Sequence, residues 1–320
     1  LKNRIEFTMT CSQFDVATQV QLHSELWQAV ALPELGGNLI SLTHRPSGLN
    51  VLRTPKHIDQ LKCQPERYGI PVLFPPNRIA GGTFTFEDRV YTFPINDPLE
   101  RQNHLHGIVL RQSWDVIQQS TTHVVMQYCI EATSGFPHDC RLQLAYELDG
   151  EGLSQRMTVI NDSQTNMPLG LGYHTAFAMT AGSQVLPTVT GKQWEIVPPQ
   201  MLPSGRLMDV PDGTLPFSDQ QAAGMHCPIA DGEFAGQALR GTVITHPTLK
   251  QAVVYRVDEQ YKHWYFWNEG GGQGFFCAEP LTWIANAMNM PMEREVTGVQ
   301  VLAPQASWSA TSQISLVSHV

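Results

Sequence analysis

The sequence predicts an all-β fold, a large antiparallel β-sandwich made by one domain over residues 1–320, and three features support this. The dominant hydrophobic period is two, the spacing that sends alternate side chains to opposite faces of a strand. No long segment carries the 3.6-residue period of an amphipathic helix. The 25 Gly and 22 Pro are scattered rather than gathered into a linker, so they punctuate short strands and mark no domain boundary. At about 150 residues per domain the length would suggest two units, but large all-β folds often exceed that figure as one. A hydrophobic content of 42% against 15% charged residues supplies a sizeable core.

The elements follow from local pattern. Lys56 to Lys62 predicts one short helix. Thr83-Phe84-Thr85-Phe86, then Glu87-Asp88-Arg89, then Val90-Tyr91-Thr92-Phe93 reads as a hairpin, and Pro94 ends its second strand. Leu142, Leu144, Tyr146 and Leu148 alternate with Arg141, Gln143, Ala145 and Glu147; Asp149-Gly150 supplies a turn, and Leu153 to Val159 returns as the partner strand. His263-Trp264-Tyr265-Phe266-Trp267 reads as a buried strand, with Trp267 the candidate for stacking on a ligand.

Composition narrows the function. A formal net charge of −9 without a basic run disfavours nucleic acid, whose binding needs clustered Lys and Arg. The six cysteines, at 11, 63, 129, 140, 227 and 277, include no CxxC pair, so free thiols in a reducing cytoplasm are expected. No signal-like segment and no run of 18 or more apolar residues appears, so no membrane span and a cytoplasmic location are expected.

Three short stretches carry acids and bases: Asn103-His104-Leu105-His106-Gly107, Gly172-Tyr173-His174, and Cys277-Ala278-Glu279-Pro280. On a strand, His104 and His106 would share a face. Such a pair fits surface or hydrogen-bonded imidazoles, a cupin-like metal site, or acid/base work at a polar ligand; Gly107 to Arg111 supplies no carboxylate for the metal reading.

Asn77-Arg78-Ile79-Ala80-Gly81-Gly82-Thr83-Phe84, the Asn103–Gly107 motif, the central His174 and the late Glu279-Pro280, with Asn286 and Asn289 beyond it, form an ordered set. From about Gly36 to Ala303 the chain resembles the aldose 1-epimerases, or galactose mutarotases. The resemblance implies a β-supersandwich and a cofactor-free, metal-free isomerase acting on a monosaccharide of the glucose or galactose type, as a monomer or homodimer. It implies Glu279 as general base, His174 as general acid, His106 on the sugar's ring oxygen, Arg78 on a sugar hydroxyl, and Asp231 as a sugar-binding aspartate. An anionic pocket holding Asp231 and Glu279 would raise the pKa of His174.

Three departures mark a divergent branch: Thr175-Ala176-Phe177 follows His174 where Pro-Tyr-Phe is common, Ile108 stands where a second Gly is common, and Asp88 where Gly is frequent. Read alone, Arg78 could pair with Glu87 or Asp88 on the surface, His174 could be a core histidine, and Asp231 beside Gly232 could be a turn. Alternative functions are a hexose-6-phosphate mutarotase, with Arg101 and Arg111 as phosphate candidates, or a sugar-binding protein without turnover. A matched acid and base speak against the last.

Overall fold

The computed structural model describes residues 18–247 and 249–318, so Cys11 lies outside the described part. Among the described residues the largest sheet has nine antiparallel strands. Asp115–Gln119, His123–Ile130, Cys140–Leu148 and Gly152–Asn161 form one run of it. Ser307–Ser318 then joins that run to Gln251–Val257, Gly241–Thr245, Gln184–Pro187 and Phe217–Ser218. A six-stranded sheet contains Gly224–Pro228, His263–Trp267, Phe275–Leu281, Gly172–Tyr173 and Val72–Leu73 in order, with Thr175–Ala178 also paired to Phe275–Leu281. A four-stranded sheet spans Val20 to Asn50.

Local alternation explains the hairpins. Cys140–Leu148 buries Leu142, Leu144 and Tyr146 and turns Arg141, Gln143 and Glu147 outward, pairing Leu142 with Val159 and Leu144 with Met157. Thr83–Phe86 pairs with Arg89–Thr92 across Glu87 and Asp88, both at positive φ (46° and 60°) as a tight hairpin turn requires. The rings of the cross-strand pair Phe84 and Tyr91 stack at 4.6 Å. The short helix is Ile58–Cys63, two residues later than predicted at its start, and its Leu61 is buried.

One buried cluster runs through all three sheets, from Trp27 and Leu42 through Leu144 and Tyr146 to Tyr255, Trp264, Phe266 and Phe276. Each large side chain so buried contributes about 1.5–3 kcal/mol of hydrophobic stabilisation. This core sets the six-stranded sheet rigidly against the nine-stranded one, and the functional side chains stand on the other face of the smaller sheet. Among the described residues the cysteines 63, 129, 140, 227 and 277 are free, and no helix is long and apolar enough to cross a membrane.

Candidate active site

Register places the site. Tyr265 lies opposite Glu279 on one side and His226 on the other, so the three side chains project from the same face of the six-stranded sheet. Trp267 and Gly224 lie two residues along on the same face. His174 is the single residue between strands Gly172–Tyr173 and Thr175–Ala178, which pair with Leu281 and Ala278 of the strand that carries Glu279. That break sets its ring beside the carboxyl, with Nε2 3.1 Å from Oε1 of Glu279.

The two upstream motifs meet because they are hydrogen-bonded partners. Arg78–Ala80 pairs antiparallel with Asn103–Leu105, and Arg78 lies opposite Leu105. Asn286 accepts from the Ala80 amide of this pair through Oδ1 (3.0 Å), and Asn289 donates (2.9 Å) to the carbonyl of Thr83, which begins the next strand. After Leu105 the strand stops. His106 and Gly107 take φ of 66° and 77°, the His106 amide donates to the Asn77 carbonyl (3.0 Å), and the chain turns back on Phe74.

That turn separates the two histidines that strand alternation would have placed together. His104 is buried against Phe93 (5.0 Å between rings), with Nδ1 at 2.8 Å from the Pro94 carbonyl. His106 instead meets His174 edge to face at 5.1 Å. Among the described residues no three His, Cys, Asp or Glu side chains are grouped to hold a metal ion.

Arg78, His106, His174 and Glu279 line one cleft of about 510 Å³, together with Tyr265 and Trp267. A hollow of about 540 Å³ along Gly152–Ser154 and Gln313–Ser318 contains no comparable acid and base. Glu279 is 1% exposed, and neither carboxyl oxygen has an aligned hydrogen-bond donor, even with the His174 ring so close. Nδ1 of His174 and Nδ1 of His106 are also buried without partners. Orphaned groups of this kind cost about 1–3 kcal/mol each, and those that line the cleft fit a ligand that satisfies them.

Burial dominates the electrostatics. It pushes the Glu279 carboxyl well above the usual range, with Arg78 pulling the other way. It lowers His174 to about 3, with Arg67 and Arg78 adding to the effect, and lowers His106 well below 6.5. The expectation that an anionic pocket would raise His174 is therefore corrected.

Asp231 is corrected with it. It sits at the entrance to the hairpin Gly232–Phe234 and Gln237–Leu239, 86% exposed in its side chain, and pairs with Arg240 at 3.2 Å instead of lining the cleft. The cleft's aspartate is Asp97, which the sequence did not reveal. Its fully buried carboxylate accepts from Nε of Arg78 (2.8 Å) and from Asn103 (3.0 Å), which orients the arginine. Arg78 thus pairs with Asp97, not with Glu87 or Asp88. Arg67 and Glu66 also line the cleft without having been singled out, and Arg67 lies 5.7 Å over the Trp267 ring.

An antiparallel β-supersandwich of this kind, with a polar cleft on its six-stranded sheet, defines the galactose mutarotase-like class of folds. The aldose 1-epimerase family model matches residues 19–315, and the chain belongs to that family. A galactose mutarotase-like protein from Clostridium acetobutylicum superimposes with a TM-score of 0.88 at 30% identity, covering 94% of this chain and 95% of its own. The uncharacterized protein YihR of Escherichia coli K12 is 27% identical over 142 residues, and the match spans 44% of each chain. YphB of the same organism is 24% identical over 256 residues, 75% of this chain and 80% of that one.

Proposed function

We propose that this chain, acting as one domain, interconverts the α and β anomers of a monosaccharide by acid/base ring opening. The observation that carries this reading is the buried His174–Glu279 pair, 3.1 Å apart, with unpartnered atoms in a cleft of monosaccharide size.

The anomeric hydroxyl gives its proton to Glu279, the bond between C1 and the ring oxygen breaks, and His174 delivers a proton to that oxygen. The open aldehyde rotates about C1–C2 and presents its other face. Closure reverses both transfers, so the pair ends with the proton it began with. Burial favours the neutral pair, a carboxylic acid beside a neutral imidazole. Transfer of the proton to His174 yields the carboxylate base, which Arg78 and donating sugar hydroxyls stabilise. His106 hydrogen-bonds the ring oxygen, Arg78 holds a hydroxyl, and Trp267 offers its ring to the sugar's apolar face. Two positioned proton-transfer groups contribute about 10²–10⁴-fold each, enough for a reaction that already runs slowly in water.

Polarimetry on freshly dissolved α-D-glucose and α-D-galactose, followed by hexose 6-phosphates, tests the reading with chelator-treated protein. Wild type is expected to speed equilibration, and Glu279→Gln to lose about 10²-fold or more while keeping its fold. A wild type no faster than buffer on every sugar would favour a sugar-binding protein; a fully active Glu279→Gln would remove Glu279 from the base role.

A further inference from the structure

Three guanidinium groups line the cleft, from Arg67, Arg78 and Arg101, and one of them lacks a counter-charge of its own. Arg67 is matched by Glu269 at 2.5 Å. Arg78 and Arg101 share the single carboxylate of Asp97. Arg78 takes Oδ2 at 2.8 Å, an oxygen that also accepts from Asn103. Arg101 reaches only Oδ1, at 3.4 Å, and its side chain is 31% exposed toward solvent. The remaining carboxyls of the lining are engaged elsewhere: Glu66 lies 3.9 Å from Arg67, and Glu279 lies 3.1 Å from His174.

Arg101 therefore brings a weakly matched positive charge to the cleft of a protein of formal net charge −9. A neutral sugar satisfies Arg78 with a hydroxyl and leaves the Arg101 charge unused. An arginine fork is matched instead by a phosphate or carboxylate, which it can hold through two parallel hydrogen bonds. The lining also leaves room for a substituent: Ala223 and Gly224 contribute little side chain, and a Cβ on Gly224 would meet no atom within 4 Å. Arg111, the other cation the sequence offered, is absent from the lining and donates to the carbonyls of Lys62 and Cys63.

We propose that Arg101 binds an anionic substituent, phosphate or carboxylate, on a sugar carbon remote from C1, so that the preferred substrate is an acidic aldose. This rests on the mutarotase reading of the same cleft.

The test measures exchange between anomeric protons at equilibrium by NMR, for glucose, galactose, their 6-phosphates and their uronates, beside calorimetric binding of the same sugars. Either the 6-phosphates or the uronates are expected to exceed their neutral parents in kcat/KM by about 10-fold or more, and the two arms identify which anion is used. Arg101→Gln is expected to shrink that preference about 10-fold, and added salt to erode it, while Arg111→Gln retains it. Neutral parents turned over as well as the acidic sugars, or a preference that survives Arg101→Gln, would overturn the proposal. If no sugar exchanges, the mutarotase reading fails; calorimetry then still decides whether Arg101 selects acidic sugars.

Discussion

Glu279 and His174 are close enough to titrate as a unit, and the unit works with one proton on it. Adding a second proton requires charging His174, whose pKa burial lowers to about 3. Removing the last one requires ionising Glu279 with no proton left on the histidine, and burial raises that pKa well above 4.5. The acid limb of kcat/KM is therefore expected far below the ordinary histidine value, and the alkaline limb above the ordinary carboxylate value, with a plateau between. A profile that falls as pH drops through 6.5 would instead indicate an imidazole that takes up its proton at the ordinary value, against the lowering of His174 to about 3. Most of this site was legible, because Arg78, His106, His174 and Glu279 each sit in a motif of recognisable order. Asp97 was not, because Asn96-Asp97-Pro98 looks like any turn; Asp231 was misread because Asp before Gly is a turn as well. An aspartate's burial depends on what folds over it, and neither tripeptide carries that information.

The turn after Asn103–Leu105 aims His106, and Gly107 makes the turn possible. Gly107 has φ of 77°, and an added Cβ would lie 2.2 Å from the Phe74 carbonyl oxygen, so Ala cannot enter without moving backbone. Gly107→Ala is expected to lower stability by about 1–3 kcal/mol and kcat/KM by up to about 10²-fold, since small displacements of positioned groups cost that much. Unchanged activity with normal melting would show that His106 does not depend on the turn. Hairpins were readable at this scale because both strands and the turn are contiguous, as in Cys140–Leu148 with Gly152–Asn161. Sheet order was not, because Ser307–Ser318 bridges Gly152–Asn161 and Gln251–Val257, strands remote in sequence whose alternation looks alike. His104 and His106 would share a face only on a strand, and the strand ends at Leu105, with His106 at positive φ.

The whole molecule folds around histidines that burial keeps neutral. Desolvation lowers His138 to about 4 and His174 and His226 to about 3, and it also lowers His104, His106, His246 and His263. Between the unfolded value of 6.5 and those folded values the unfolded chain binds more protons, so stability is lost as pH falls through that window. The melting temperature is expected to drop from pH 6.5 toward 4, with uptake of more than one proton on unfolding; a flat profile would contradict the burial of these rings as neutral groups. The same desolvation sets the chemistry of Glu279 and His174, whose joint action is tested most directly by comparing Glu279→Gln, His174→Asn and the double variant in anomeric exchange. If the pair moves one proton as a unit, the double variant is no slower than the slower single variant. Losses that multiply independently, or a single variant near wild type, would contradict it.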